Sequence, residues 1–425
     1  KYRIRPYYGA KQTTACDTLL LDKFILKFIR MVIGLKTCFV NAKVLTPLQR
    51  KDAVVVVENG KIAGVDSRLD PPPDMQVIDA KGCYLSPGFI DIHVHGGGGY
   101  SAMTGNPEDV VRMCSAHAQY GTTSILPTTT TAQIPKLKTS MDGVRKAQPV
   151  CRDSNILGIH LEGPSLSRNQ KGAQNEENIL KPTECDYEEL LDYWHGIRMM
   201  GAAPEVEGCL ELGRALEKRN IVPSVAHSDA TYDETVKALE YGYCDITHIY
   251  SGCSSVIRRN AYRIAGVVEA GLVRDEYTVQ MIADLKHLPV ALIQLIYKCK
   301  GADRISLITD GLEYAASELK EGTVYRQPGG VETVYEDGVM KLLDRQAFAG
   351  SVATCNKLVH NLYKHADISL LDTVKMATWT PARRIGVADR KGLIAEGYDA
   401  DLLLFDDNID MKMVMVNGNM LFNRL

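Results

Sequence analysis

No stretch of the 425-residue chain approaches the ~18 unbroken apolar residues that a membrane-spanning helix needs, so the sequence reads as soluble, with no membrane partner. Neither sign of charge dominates. The 49 Lys and Arg face 52 Asp and Glu, a net charge of −3, which offers nucleic acid no attracting field. The eleven cysteines include no Cys-x-x-Cys pair and no dense cluster. Such dispersed thiols exclude a disulfide framework and fit a reduced, cytoplasmic compartment. Cys83, Cys209 and Cys244 lie among small or apolar neighbours and read as core residues, not nucleophiles. With 45% hydrophobic and 24% charged residues, the chain is ordinary globular material, and disordered, collagen-like and coiled-coil classes drop out. The length admits two or three domains, or one large α/β barrel with an accessory domain.

Residues 1–30 differ from the rest. Lys1, Arg3, Arg5, Lys11, Lys23, Lys27 and Arg30 oppose only Asp17 and Asp22. Asp22, Lys23 and Lys27 interrupt the apolar stretch 19–29, which disqualifies it as a signal-peptide core. A segment that looks like a natural start opens at Met31, so residues 1–30 are expected to be an extension with no role in the fold. Beyond it, 54–57 and 61–65 are strand-like and flank Asn59-Gly60, a type I′ hairpin signal. The C-terminus repeats the pattern, with strand-like 401–405 and a second Asn-Gly turn at Asn417-Gly418. Residues 31–86 and 391–425 are therefore assigned to one small β-sandwich domain contributed by both ends of the chain. Residues 87–390 form the body.

Within that body, short apolar β-rich runs alternate with helix-like stretches, the pattern of βα units on a parallel sheet. The runs fall at 88–92, 122–126, 155–161, 196–202, 221–226, 244–247, 278–283 and 304–309. Eight such strands close an α/β fold of the (β/α)8, TIM-like type, whose chemistry sits at the C-terminal strand ends. The polar residues there are informative. The first run leads into His93-Val94-His95, the third into Glu162, the fifth into His227, the sixth into His248 and the eighth into Asp310. Alternate strand residues share a face, so His93 and His95 can turn both imidazoles to one point. Imidazoles and a carboxylate converging at a barrel mouth suit a divalent cation such as Zn²⁺, with Fe, Mn or Co as further candidates. Asp310 is then the proton carrier beside the metal's water. A lone strand-end histidine reads more readily as a structural, hydrogen-bonded residue. Chemically apt side chains at five separately inferred strand ends, Asp310 included, do not. His160 shares a face with Glu162 and is a supporting residue, whereas His117, His195, His360 and His365 lie in helical or loop contexts.

The motifs Gly88-Phe-Ile-Asp-Ile-His-Val-His95, His160-Leu-Glu-Gly-Pro164, Ser224-Val-Ala-His-Ser228, Thr247-His248 and Thr309-Asp310-Gly311 resemble the N-acetylglucosamine-6-phosphate deacetylases of the amidohydrolase superfamily. Ala349-Gly350-Ser351 and the segment 377–386 fit as well, and the resemblance runs from residue 31 to 425. It implies that Glu162, His227 and His248 are the principal metal ligands, that His93 and His95 offer a second metal site, and that Asp310 is catalytic. The number of ions, one or two, stays open. It implies substrate contacts at Ala173, Gln174, Ser251, Gly252, His287, Phe348, Ala349 and Gly350. A phosphate contact from Arg259, in the basic cluster with Arg258 and Arg263, would cross the interface of a homodimer. Departures from the family pattern concern the substrate. Gln174 stands where Gly-Ala-His is usual, Ser251-Gly252 replaces Asn-Ala or Asn-Gly, and Asp284-Leu285-Lys286-His287 replaces Asp-Gly-x-His. Gln174 is expected to touch the sugar or acyl oxygen through its amide.

The reading is therefore a metal-dependent hydrolase that converts N-acetylglucosamine 6-phosphate to glucosamine 6-phosphate and acetate. An amidohydrolase for another N-acyl amino sugar, amino acid or cyclic amide is the enzymatic alternative. A non-catalytic sugar-phosphate binder is the other, and the retained Asp310 speaks against it.

Overall fold

Strand Leu402–Phe405 shows how the two ends of the chain become one unit. Leu402 and Leu404 join a buried cluster with Phe39, Val55 and Leu85, while Leu403 and Phe405 join another with Phe89 and Ile125. Strand Met411–Val416 divides likewise, Met413 and Met415 to the first cluster, Val414 and Val416 to the second. Side chains alternate across a strand, so this sheet is buried on both faces. Its six strands run in the order Asn419–Asn423, Met411–Val416, Leu402–Phe405, Tyr84–Pro87, Lys43–Leu45 and Arg50–Asp52. A four-stranded sheet covers one face, in the order Lys61–Asp66, Val54–Glu58, Thr37–Val40 and Gln76–Asp79. The two Asn-Gly turns take left-handed φ at both residues, +52° and +76° at Asn59-Gly60 and +48° and +75° at Asn417-Gly418. They also pack on each other: a Cβ on Gly60 would lie 2.9 Å from the Asn417 carbonyl oxygen. Glycine is required there by space as well as by conformation.

This computed structural model describes residues 36–67, 75–326 and 331–425, so the expectation for residues 1–30 lies outside the described residues. The barrel strands are β1 (Phe89–Val94), β2 (Thr122–Thr129), β3 (Ile159–Glu162), β4 (Ile197–Ala202), β5 (Val222–Val225), β6 (Asp245–Ile246), β7 (Thr278–Met281) and β8 (Ile305–Leu307). Each pairs in parallel with the next in sequence. The ring closes where Asp310 N–H donates to the His93 carbonyl at 2.9 Å and Val94 bridges Gly311. Helices such as Pro107–Ala118 connect the strands; that one starts with proline and is capped by the Asn106 side chain on Glu108 N–H.

Two strand boundaries depart from expectation for physical reasons. The run 155–161 is not one strand. Asn155–Ile156 pairs with β2, and Gly158, at φ +142°, lets Ile159 N–H pass to the carbonyl of Gly196 beside β4. His93 and Glu162 lie within their strands, not beyond them, so strand pairing holds their backbones. Among the described residues the ten cysteines are free, with Cys209 buried and Cys83 and Cys244 partly so. No described helix is long and apolar enough to cross a membrane.

Candidate active site

At the C-terminal mouth of the barrel, four imidazoles surround two carboxylates, and every ring is tied down from behind. His93 Nδ1 lies 3.1 Å from Gln280 Oε1, His95 Nδ1 3.2 Å from the Thr128 carbonyl, His227 Nδ1 2.8 Å from the Gln170 carbonyl, and His248 Nδ1 3.0 Å from the Ser251 carbonyl. A carbonyl oxygen only accepts, so each Nδ1 carries the hydrogen and each Nε2 is turned inward. The Nε2 atoms of His227 and His248 lie 3.1 and 2.9 Å from Glu162 Oε1, and that of His93 lies 3.6 Å from it. His95 Nε2 lies 3.4 Å from Glu162 Oε2 and 3.2 Å from Asp310 Oδ1; His93 Nε2 is 3.3 Å from His95 Nε2. All six residues are buried.

The backbone at these strand ends is unusual. His227, His248 and Asp310 have φ of +44°, +26° and +48°, the left-handed region that non-glycine residues rarely occupy. Each sits two or three residues past a short strand, where this turn throws the side chain into the mouth. A Cβ on Gly252, itself at φ +55°, would lie 2.6 Å from His227 Nδ1, so only glycine leaves room for the bond to Gln170.

Behind the rings runs a polar chain across three strands. Asp245 accepts from Ser224 Oγ at 2.9 Å and from Gln280 Nε2 at 2.7 Å. With its N–H₂ committed to Asp245, Gln280 must present oxygen to His93, which fixes that ring's tautomer. Asp91 similarly accepts from the amides of His93 and Thr309 and joins β1 to β8. Gln280, Asp245 and Asp91 escape a sequence reading based on strand ends because they lie within strands, and nothing local pairs them. His160 stands behind His93, ring centroids 4.7 Å apart, and its Nδ1 bonds the Ile92 carbonyl at 3.0 Å.

The electrostatics call for a cation. Burial pushes His93 down to about 4. Burial also opposes a charge on His95, yet its hydrogen bond to Asp310 and the nearby Glu162 charge raise it to about 9. Despite the same burial, the neighbouring imidazoles His93 and His227 hold Glu162 well below the ordinary carboxylate range. Two triads have ligand atoms within 4.8 Å of one another, His93–His95–Glu162 and Glu162–His227–His248, and they share Glu162. Inward Nε2 atoms, which ligate once any proton on them is displaced, outward Nδ1–H groups and a shared carboxylate are the donor set of a divalent metal. The residues fit one.

The whole pocket is about 430 Å³; loops make the rest of its wall, and Ala173, Gln174, Ser251, Gly252, His287, Phe348, Ala349 and Gly350 all line it. His287 is oriented by Asp284, Nδ1 to Oδ2 at 2.7 Å, and its ring lies 4.9 Å from that of Phe348. Ser251 supplies its carbonyl to His248. Gln174 departs from expectation. Its Oε1 accepts from both the N–H and the hydroxyl of Thr131 at 2.9 Å, and its Nε2 donates to Glu162 Oε2 at 2.6 Å. The amide is committed within the protein and braces Glu162. Arg259 is not among the lining residues of its own chain's pocket; it stands on an exposed hairpin of Ile257–Arg259 and Tyr262–Ile264. Glu313, which the motif pattern did not mark, does line the pocket.

Barrel, sandwich and strand-end cluster together define an amidohydrolase, and residues 84–421 match the profile of the Amidohydrolase family. An N-acetylglucosamine-6-phosphate deacetylase of Bacillus subtilis is 31% identical over 382 residues, covering 88% of this chain and 93% of that protein. An N-acetylgalactosamine-6-phosphate deacetylase of Escherichia coli O157:H7 is 28% identical, covering 84% and 92%. The crystal structure of N-acetylglucosamine-6-phosphate deacetylase from Pasteurella multocida superposes with a TM-score of 0.85 at 28% identity, covering 92% of this chain and all of the other. The chain belongs to the amidohydrolase family, in its N-acetylglucosamine-6-phosphate deacetylase branch.

Proposed function

We propose that this chain hydrolyses the acetamide of N-acetylglucosamine 6-phosphate, giving glucosamine 6-phosphate and acetate. The observation that carries the reading is the set of four histidines with Nδ1 bound outward and Nε2 turned on Glu162 and Asp310. Glu162, His227 and His248 would hold one divalent ion, with His93 and His95 sharing Glu162 for a second. Zinc is favoured by the imidazole-rich set. When bound, such an ion supplies Lewis-acid polarisation of the acetamide carbonyl and a more acidic water. Asp310 takes the proton from the attacking water and delivers it to the nitrogen as the C–N bond breaks; the water oxygen leaves in acetate. The fixed Nδ1–H bonds keep the imidazoles from drifting as that proton moves.

Support for the phosphate end comes from His287, which lines the pocket with Asp284 behind it; Arg259, on its exposed hairpin, would serve a second subunit in a homodimer. Dispersed free thiols support a cytoplasmic setting. A second reading keeps the reaction and changes the sugar to the galacto epimer. The E. coli relative's activity favours it, as does Ser251 on the pocket wall in place of the family's usual Asn. The test is free-amine release by metal-loaded protein from both epimers, each with and without the 6-phosphate. Faster release from the phosphorylated gluco compound, abolished by chelation, supports the first reading. No release from either phosphorylated compound refutes both.

A further inference from the structure

Besides Glu162 and Asp310, the pocket holds a third carboxyl, Glu313, three residues past Asp310 on the loop that follows β8. Its backbone is fixed. The Glu313 carbonyl accepts from Gly99 N–H at 2.7 Å, and a Cβ on Gly96 would lie 2.6 Å from the Glu313 Cα. Only glycine after His95 lets the two loops approach so closely. The residue is 6% exposed, and its Oε1 is wholly shielded without a hydrogen-bond partner. Buried acceptors in native proteins are nearly always satisfied, so an orphan at the wall of a substrate pocket points to a donor that arrives with the ligand.

Tyr314 pairs with the Glu313 carboxyl, yet Oε1 itself stays without a partner. Ser101 Oγ, on the same wall, donates to the His95 carbonyl at 3.3 Å and accepts from Met103 N–H at 3.2 Å. Leu312 and Met103 add apolar surface. A phosphate is the wrong partner for a carboxylate, since both are acceptors of like charge. A sugar hydroxyl is the right one: a neutral donor that needs an acceptor when it leaves water.

We propose that Glu313 is a substrate-binding residue whose Oε1 accepts a hydrogen bond from a hydroxyl of the amino sugar, orienting the ring over Glu162 and Asp310. This rests on the deacetylase reading and extends it, placing the sugar's hydroxyl face against the β1 and β8 loops and its phosphate toward His287.

The experiment compares wild type, Glu313→Gln and Glu313→Leu, metal-loaded, on the phosphorylated epimers and on their monodeoxy analogues. Glu313→Leu should lower kcat/KM at least ~10-fold, chiefly through KM, and Glu313→Gln less, since its amide keeps an acceptor oxygen. Metal content should not change. One monodeoxy analogue should be turned over equally by wild type and Glu313→Leu, which identifies the contacted hydroxyl. Removing an orphan acceptor should leave Tm equal or higher in Glu313→Leu, whereas a merely structural carboxyl would lower Tm and leave KM alone. An active wild type with KM unchanged in both variants overturns this assignment and spares the deacetylase reading. A wild type inactive on every phosphorylated sugar overturns both.

Discussion

The two sides of the pocket are built on different terms. On the metal side, Glu162, His93, His227, His248 and Asp310 occupy barrel strands or follow them within three residues, are buried, and each imidazole has a fixed partner behind it. On the sugar side, Gln174, Ser251, His287, Phe348 and Glu313 sit on loops, and here the chain departs from its family's pattern. A strand end in a closed barrel cannot shift without breaking a ladder, whereas a loop can accept a new residue at little cost. Reaction type therefore resides in the strands and substrate choice in the loops.

The largest break in that comparison is Glu162→Gln. An uncharged amide is a poor ligand, and this side chain is common to both candidate triads. Metal affinity should fall well beyond the ~100-fold that loss of a supporting contact causes, and amine release should vanish with it. Full occupancy by elemental analysis would contradict the ligand role. Asp310→Asn comes next. It should keep its metal and its Tm but lower kcat by roughly 10²-fold, the scale of a positioned proton carrier. Near-normal turnover in metal-replete protein would remove Asp310 from the mechanism.

Gly252→Ala tests whether loops can be altered freely where they back the metal side. The added methyl would lie 2.6 Å from His227 Nδ1 and on a left-handed φ, so the ring must swing away from Gln170. The expected outcome is a ~10–100-fold loss of metal affinity with the fold intact. Unchanged affinity in a metal titration would show that the Gln170 bond does not set the ring.

How much of this was legible in the sequence follows the same division. His93 and His95 could be paired because a strand's two-residue period is a local property. Glu162, His227, His248 and Asp310 stood out as polar residues closing apolar runs. The left-handed backbone of His227, His248 and Asp310 did not, since the sign of φ at a non-glycine residue is imposed by the barrel around it. Nor did the chain from Asp245 through Gln280 to His93, whose members lie 35 and 187 residues apart. The strand break at Gly158 was hidden for a related reason. Composition there is strand-like throughout; β2 borders both halves, and what divides them is that pairing with β4 begins only at Ile159. Glu313 carried a weak signal, a carboxylate three residues past Asp310, but its meaning depends on an oxygen left without a donor.

The smallest expected effect sharpens the comparison most, because Gln174 belongs to both sides. It occupies a loop position that the family resemblance gives to the substrate, yet its amide spans Thr131 and Glu162. In Gln174→Ala, water can replace the amide toward Thr131, while Glu162 Oε2 loses one donor and keeps its histidine neighbours. One hydrogen bond of this kind contributes about 1 kcal/mol, so metal affinity should fall only ~5-fold. At saturating metal, KM for the phosphorylated substrate should stay within about twofold, because no substrate contact has been removed. The opposite pattern, a raised KM with metal affinity unchanged, would mean that the amide leaves Glu162 when sugar binds. It would then return Gln174 to the sugar side. Isothermal titration of metal beside steady-state kinetics on the same variant separates the two outcomes.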